Sequence, residues 1–227
     1  LQVVGALGAA ASILDDPTAT NDWVRQGFFQ LLWAAGITLA VLVALDKATR
    51  PDPDGSTSRS HRWLRVATAA LTLVIVAMSI TRIMRYSDAF GLTMLRLYSI
   101  LFAGWIAVVF ILYAARSVLA ATTRWLAATS SFAGLALLFA LNVADPEAIV
   151  ARDNLTRAHD VDVAYLTRDL SADAIPTIVE SLDSVDPEIA ALLADRLCAQ
   201  RRPPAEGWLG WNRSRSRARS TLVTLCD

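Results

Sequence analysis

The stretch WLAATSSFAGLALLFALNVADPEAIVARDNLTR, residues 125–157, decides how this chain folds. From Trp125 to Val143 it carries no charged side chain, and its length is close to the roughly 20 residues that a helix needs to cross a bilayer. Asp145-Pro146-Glu147 then follows, in which Asp caps free backbone N–H groups, Pro fits the first helical position and Glu favours the positive end of the helix dipole. The stretch predicts a membrane-spanning helix that leads directly into a helix in water.

The composition also favours a membrane protein. Of the 227 residues, 55% are hydrophobic, and the mean hydropathy of +0.43 is high for a soluble domain. These residues fall in blocks that predict four spans, at about 27–45, 64–84, 97–115 and 125–143. The apolar run 1–14 is too short to cross a bilayer. We interpret it as the end of a further span, the alternatives being a re-entrant segment or the remnant of a signal peptide.

Lysine and arginine are unequally divided between the two sides of the predicted spans. The loops after the first and third spans carry seven of them: Lys47, Arg50, Arg59, Arg62, Arg65, Arg116 and Arg124. The opposite side carries four: Arg25, Arg82, Arg85 and Arg96. Because loops rich in these residues stay in the cytoplasm, the pattern predicts that the region after residue 144 is extracytoplasmic.

The region after residue 144 is predicted to be helical. Asp186-Pro187-Glu188 repeats the start signal of Asp145-Pro146-Glu147, and two shorter helices are expected at 163–170 and 172–182. No convincing period-2 alternation predicts a strand. The predicted fold class is therefore all-α: a polytopic transmembrane helix bundle (1–144), a small extracytoplasmic helical domain (145–204) and a basic amphipathic C-terminal helix (205–227).

The tail, residues 205–227, combines an apolar stripe with arginines. The stripe comprises Trp208, Trp211, Ala218, Leu222 and Leu225, and the arginines are Arg213, Arg215, Arg217 and Arg219. Tryptophan and arginine in this pattern are typical of a helix on an anionic membrane surface, and they also suit a partner protein. The alternative is that the stripe packs on the helical domain. Four spans argue against a nucleic-acid partner.

No pattern in the chain matches a catalytic, metal or cofactor motif. His61 and His159 lack a second ligand at metal spacing, and the aspartates between residues 160 and 173 lack a calcium-binding loop. There is neither a glycine-rich phosphate loop nor a nucleophile elbow. We therefore predict no catalytic residue, no metal and no cofactor, and the sequence leans against an enzyme.

Five other residues are candidates for a role. Asp88, Arg96 and Asn142 lie near the predicted outer ends of the spans and form a candidate outer-face polar cluster. Cys198 and Cys226 are the only cysteines. In an oxidising compartment a bridge between them would tie the tail to the preceding helix, and two free buried thiols are the equal alternative.

Several stretches carry a family resemblance. They are DAFGLTMLRL (88–97), Leu141-Asn142 with Asp145-Pro146, Ala151-Arg152-Asp153-Asn154, Asp162 with Tyr165-Leu166, Leu170-Ser171, Asp173-Ala174-Ile175-Pro176 and Trp211-Asn212-Arg213-Ser214. Together they resemble bacterial membrane proteins of a domain of unknown function, DUF4173, which is related to DUF4153. The resemblance covers about residues 23–220. It implies a multi-pass protein of the bacterial inner (cytoplasmic) membrane with further N-terminal helices, and it implies no reaction.

Three functional hypotheses follow from the sequence. The leading one is a non-enzymatic integral membrane protein that serves as an accessory or scaffolding subunit of a membrane complex. Its partners would be membrane lipids and other membrane subunits, or further copies of itself. The second is a sensor or transducer with a ligand-binding outer domain. The third is a membrane enzyme that acts on lipid or envelope substrates.

Overall fold

The computed structural model describes residues 33–45, 59–119, 123–157, 161–199 and 213–226. Within these ranges the regular elements are helices and no strand occurs, which confirms the predicted all-α class. In chain order the helices are α1 Trp33–Leu45, α2 Arg59–Phe90, α3 Met94–Leu119, α4 Thr123–Ala144, α5 Pro146–Arg157, α6 Val163–Arg168, α7 Ala174–Glu180, α8 Pro187–Ala199 and α9 Arg213–Cys226, with a 3-10 turn at Leu182–Ser184.

Three of the described helices are long and apolar enough to cross a membrane. The spans are Arg62–Phe90 in α2, Met94–Leu119 in α3 and Arg124–Ala144 in α4. They overlap the second, third and fourth predicted spans, whose bounds stay predictions. The first predicted span is described only as α1, a shorter apolar helix, and the run 1–14 lies outside the described residues. The chain is a membrane protein.

Helix α2 extends six residues past the predicted end of its span at residue 84. The prediction stopped there because Arg82 and Arg85 end the apolar run, but a charged side chain does not interrupt backbone hydrogen bonding. The helix ends instead at Phe90, where Gly91 takes a φ of +77°. Glycine in this left-handed conformation is a common helix C-terminus because it has no Cβ to clash.

The chain forms two compact units. The first comprises the described residues up to Ile80 and those from Ala103 to Ser130. Its buried core residues are Ala35, Leu42, Ala69, Val76, Ala103, Ile106, Phe110, Tyr113 and Leu126. The Tyr113 hydroxyl donates to the Leu42 carbonyl oxygen at 3.4 Å, and the Trp105 indole donates to the Ser130 carbonyl oxygen at 3.2 Å. The polar tips of both aromatic side chains are thus paired among apolar neighbours.

The second unit comprises the described residues from Thr81 to Phe102 and from Ser131 onward. Its core is built by α5 to α9, which we call the C-terminal helices, together with Leu92 from the segment between α2 and α3. The buried residues are Leu92, Val150, Ala151, Leu155, Leu166, Leu170, Ala174, Ile175, Ile178, Leu193, Leu197, Ala218 and Leu222. The predicted division at residues 144/145 and 204/205 stays a prediction.

Local capping explains where α5 and α8 begin. Asp145 adopts a φ of +51° and its carboxylate accepts the Ala148 N–H at 3.3 Å, so that α5 begins at Pro146. The Asp186 carboxylate accepts the Glu188 N–H at 2.9 Å, so that α8 begins at Pro187. Both Asp-Pro-Glu start signals are confirmed, because each depends only on neighbouring residues.

Helix α9 packs in the core of the second unit. Ala218 and Leu222 are buried there, and Leu225 lies against them. A disulfide joins Cys226 at the end of α9 to Cys198 in α8, with the two Cα atoms 5.7 Å apart. Of the two states that the sequence left open, the structure has the bridge. In the chain-entropy view, closing a loop of this size stabilises the fold by about 3–4 kcal/mol.

Candidate functional site

The candidate residues of the tail fall into two groups. Trp208 and Trp211 lie outside the described residues. The arginines are on α9, where Arg213, Arg215 and Arg217 are exposed and Arg219 is half-buried. Arg213 and Arg217 are four residues apart and lie on the side of α9 opposite the buried Ala218 and Leu222, so this side faces away from the core.

Asp88, Arg96 and Asn142 each have a different environment in the structure. Asp88 is exposed in the last turn of α2, and Asn142 is exposed on α4, where its side-chain amide donates to the Leu138 carbonyl oxygen at 3.0 Å. Arg96 is half-buried and turns back to the residues just before it. Within the described ranges, no hydrogen bond or ion pair connects these three side chains.

A different group of residues meets at the segment Gly91–Thr93, which we call the α2–α3 turn. Gly91 and Leu92 are buried although they lie between two spanning helices. The contact that buries Gly91 comes from Asn154 of α5, since a Cβ on Gly91 would lie 2.1 Å from the Asn154 Oδ1 atom. Such a distance is far inside van der Waals contact, so only glycine fits here. The φ of +77° independently disfavours a residue with a side chain at this position.

The Asn154 side chain holds the turn through its amide nitrogen. Nδ2 donates to the Leu92 carbonyl oxygen at 2.6 Å and to the Val150 carbonyl oxygen at 2.8 Å. Both N–H bonds of the amide are therefore used, one toward the turn and one toward its own helix. Since Asn154 is buried, losing either acceptor would leave a polar group unpaired away from water.

Arg96 donates hydrogen bonds to two further carbonyl groups at the turn. Its Nη1 atom donates to the carbonyl oxygens of Phe90, at 3.5 Å, and of Gly91. The guanidinium carbon lies 4.4 Å from the centre of the Tyr86 ring, and that ring packs on Phe90 with centroids 4.6 Å apart. The cation–π contact fixes the arginine above α2 while its donors satisfy carbonyl groups that the helix end leaves open.

Tyr165 of α6 caps the start of α3. Its hydroxyl oxygen accepts the Met94 N–H at 2.9 Å, which is one of the N–H groups without a partner inside α3. The Thr93 hydroxyl accepts a second, from Arg96, at 3.4 Å. Burial raises the pKa of the Tyr165 phenol, and the negative charges of Asp169 and Glu147 add to this, so the group stays neutral near pH 7.

An acidic group lies beside this site. The Glu147 carboxylate accepts the Ser171 N–H at 2.6 Å, which ties α5 to the segment before α7. Burial raises the pKa of the Asp173 carboxyl above its ordinary value of 3.8, and the charges of Asp145 and Glu147 raise it further. Asp173 makes no side-chain capping bond to α7. Its charge is therefore disfavoured by its surroundings.

The polar side chains of the site make structural contacts with backbone groups. Asparagine, arginine and tyrosine donate to or accept from backbone groups of the turn, so the C-terminal helices supply what the ends of two spanning helices lack. Among the described residues, no group of three His, Cys, Asp or Glu side chains is placed to hold a metal ion. We name Asn154, Tyr165, Arg96 and Gly91 as the junction site.

Sequence reasoning identified only Arg96 as a functional candidate at this site, and gave it other partners. Asn154 and Tyr165 appeared only inside stretches that carried the family resemblance. Leu92 and Asn154 are 62 residues apart in sequence, and Met94 and Tyr165 are 71 apart. The one local signal was Gly91 between two aromatic-rich helical segments, which indicates a tight turn but does not name what packs on it.

Comparison with known proteins identifies a family. A family model described as Domain of unknown function (DUF4153) matches residues 11–181, which is about three quarters of the chain. The matched range includes every residue of the junction site. No curated protein matches the chain, and no solved structure matches it.

Replacing Gly91 by Ala is predicted to destabilise the protein by more than about 2 kcal/mol, because a Cβ would meet Asn154 and the left-handed φ disfavours any side chain. Gly104→Ala is the matched control, since nothing lies within 4 Å of its Cβ position in helix α3. It should leave stability unchanged or raise it by about 0.5–1 kcal/mol. Thermal unfolding of both full-length variants in mild detergent measures the difference. Equal midpoints for the two would contradict the close packing at Gly91.

Replacing Asp173 by Asn is predicted to stabilise the protein near pH 7 by up to about 1 kcal/mol, the range of charge effects at partly exposed sites. The folded-state pKa lies above the unfolded value, so the wild type is stabilised below about pH 3.8 and loses that stability as pH rises through the folded pKa. The advantage of the variant should therefore disappear toward about pH 4. Unfolding midpoints across pH measure it, with Asp195→Asn on α8 as control. If the added stability of Asp173→Asn did not change with pH, or if Asp195→Asn showed the same pH dependence, the raised pKa of Asp173 would not be its cause.

Proposed function

The chain belongs to the DUF4153 family, and on this premise we propose that it is an accessory or scaffolding subunit of a membrane complex. In this proposal the spanning helices anchor the protein, and the C-terminal helices present a fixed surface to other subunits. It would act in the inner membrane of a bacterial cell, with the C-terminal helices outside the cytoplasm.

The observation that carries the proposal is that the polar side chains of the junction site bind backbone atoms of the protein itself. Both N–H bonds of the Asn154 amide, the Tyr165 hydroxyl oxygen and the Arg96 Nη1 group bind backbone atoms. Groups used in this way hold the C-terminal helices against the α2–α3 turn. C-terminal helices held in a fixed position can present the same surface to other subunits, which favours a scaffolding role.

Two exposed surfaces support a role for partners. The first is the side of α9 that carries Arg213 and Arg217, both exposed, on a helix whose described residues include no acidic side chain. The second is a row of large apolar side chains on α4. Their exposed fractions are 73% for Phe132, 65% for Leu135, 72% for Phe139 and 70% for Val143. Such a row suits lipid or a neighbouring membrane helix.

The extracytoplasmic placement is supported by two observations. The Lys and Arg counts of the loops favour it, and the disulfide Cys198–Cys226 suits an oxidising compartment. The two arguments are independent, because the first concerns membrane insertion and the second concerns thiol chemistry.

A sensor remains the second candidate, because the junction site would transmit a displacement of α5 to the α2–α3 turn. Asn154 contacts both elements, so a ligand that moved α5 would also move the end of α2. We do not develop the enzyme hypothesis, because no observation on the described residues favours it over the other two.

The scaffolding proposal predicts a defined complex after purification in mild detergent. Native mass measurement should give one mass above that of the 24.6 kDa chain, with a fixed ratio of subunits. Changing Arg213, Arg215 and Arg217 together to Gln should reduce the complex if α9 is the contact, whereas Arg196→Gln on α8 should leave it intact. A single chain at every detergent concentration that preserves the fold would contradict the proposal.

The orientation is tested in intact cells with a membrane-impermeant maleimide. Because the native cysteines are bridged, Ser184→Cys supplies one free thiol in an exposed turn of the C-terminal region. We expect it to be labelled without permeabilisation, whereas Ser58→Cys in the first predicted cytoplasmic loop should be labelled only after it. The reverse pattern would place the C-terminal helices in the cytoplasm.

A further inference from the structure

The outer face of α5 forms a groove that the junction site does not use. It has a volume of about 420 Å³ and begins at Ala144, the last residue of α4. Its lining includes Ala148, Ile149, Arg152, Asp153 and Arg157. The opposite face of α5 carries Val150, Ala151, Asn154 and Leu155, which are buried in the core. We call the outer depression the α5 groove.

The α5 groove is apolar at one end and positively charged at the other. Ala144, Ala148 and Ile149 form the apolar end. Arg157 pairs with Asp153 at 3.3 Å, so these two charges offset each other. The Arg152 side chain is exposed, and within the described part of the chain no hydrogen bond or ion pair engages its guanidinium. Among the described residues that line the groove, Arg152 is therefore the positive charge that no acidic side chain offsets.

The groove lies at the depth of lipid headgroups. The span Arg124–Ala144 has 21 residues, which at 1.5 Å per residue is about 31 Å, close to the hydrocarbon thickness of about 30 Å. Ala144 is thus at the boundary between hydrocarbon and headgroups. Arg152 follows eight residues later, which is about 12 Å at the rise of a helix and somewhat more across the non-helical Asp145. The headgroup layer is about 5–7 Å thick on each side, and the long arginine side chain can reach back to it.

We propose that the α5 groove binds one anionic phospholipid. The phosphate would be held by Arg152, and an acyl chain would lie on Ile149 and continue over Val143 and Phe139 of α4. These three side chains are 42%, 70% and 72% exposed, respectively, so they offer apolar surface before and after Ala144, the residue at which the groove begins. A guanidinium is the side chain best suited to bidentate phosphate binding.

The proposal differs from a general attraction to anionic membranes. It assigns one lipid to one arginine beside an apolar surface, and it does not depend on whether the protein has partner subunits. Charge alone would favour α9, which carries four arginines. Ala218 and Leu222 are buried there, however, and Val223 at 38% is the one exposed large apolar side chain among its described residues, so α9 offers less apolar surface than Ile149, Val143 and Phe139 together.

The test uses the full chain, purified in mild detergent, stripped of lipid and mixed with dioleoylphosphatidylglycerol or dioleoylphosphatidylcholine at equal concentration. Native mass measurement counts the bound lipids. Both lipids carry a phosphate, but the choline cation of phosphatidylcholine cancels its net charge and would lie close to the positive charge of Arg152. We therefore expect one phosphatidylglycerol to be retained at least about tenfold better than phosphatidylcholine. Arg152→Gln should reduce the preference to within about twofold, and the control Arg168→Gln on α6 should keep it.

Three further results decide the proposal. Arg152→Lys, which keeps the charge, should retain most of the preference, and it serves as the test if Arg152→Gln does not fold. Glycerol phosphate, which has no acyl chain, should not displace the bound lipid at the same concentration; equal displacement would mean a site for free anions and would overturn the proposal. Equal retention of the two lipids by the wild type, or an unchanged preference in Arg152→Gln, would also overturn it.

Discussion

The packing of the Asn154 carboxamide against Gly91 and Leu92 is the interaction on which the second unit depends. A chain that turns at the end of a membrane span must find partners for carbonyl and N–H groups that its helices leave open. Here the C-terminal helices provide two of them, through Asn154 at Leu92 and Tyr165 at Met94. Arg96 of α3 binds the carbonyl oxygens of Phe90 and Gly91, and the Thr93 hydroxyl accepts the backbone N–H of Arg96.

The same turn also belongs to the apolar core of the C-terminal helices. Leu92 is buried together with Val150, Leu166 and Leu193. A helical region of this size buries a modest core by itself, so the leucine of the turn and the disulfide to α9 both add to its stability. The hydrogen bonds fix the direction of the turn, and the buried leucine makes the packing favourable. The turn and the C-terminal helices are therefore one structural unit.

The sequence predicts those features that depend on near neighbours. The three described spans follow from apolar length, and the starts of α5 and α8 follow from Asp-Pro-Glu. The junction site was not predictable in this way, because it joins residues more than 60 positions apart and Asn154 has no local signature. Hydropathy also does not indicate where α2 ends, since backbone geometry at Gly91 ends the helix and side-chain charge does not.

Hydrogen–deuterium exchange of the Asn154→Ala variant, in mild detergent, tests this account most directly. If Asn154 makes the turn and the C-terminal helices one unit, the variant should exchange faster both in residues 86–97 and in α5 to α7, with similar increases in the two regions. Peptides from α1 and from α3 after residue 103 should exchange as in the wild type. Faster exchange in only one of the two regions would contradict the account.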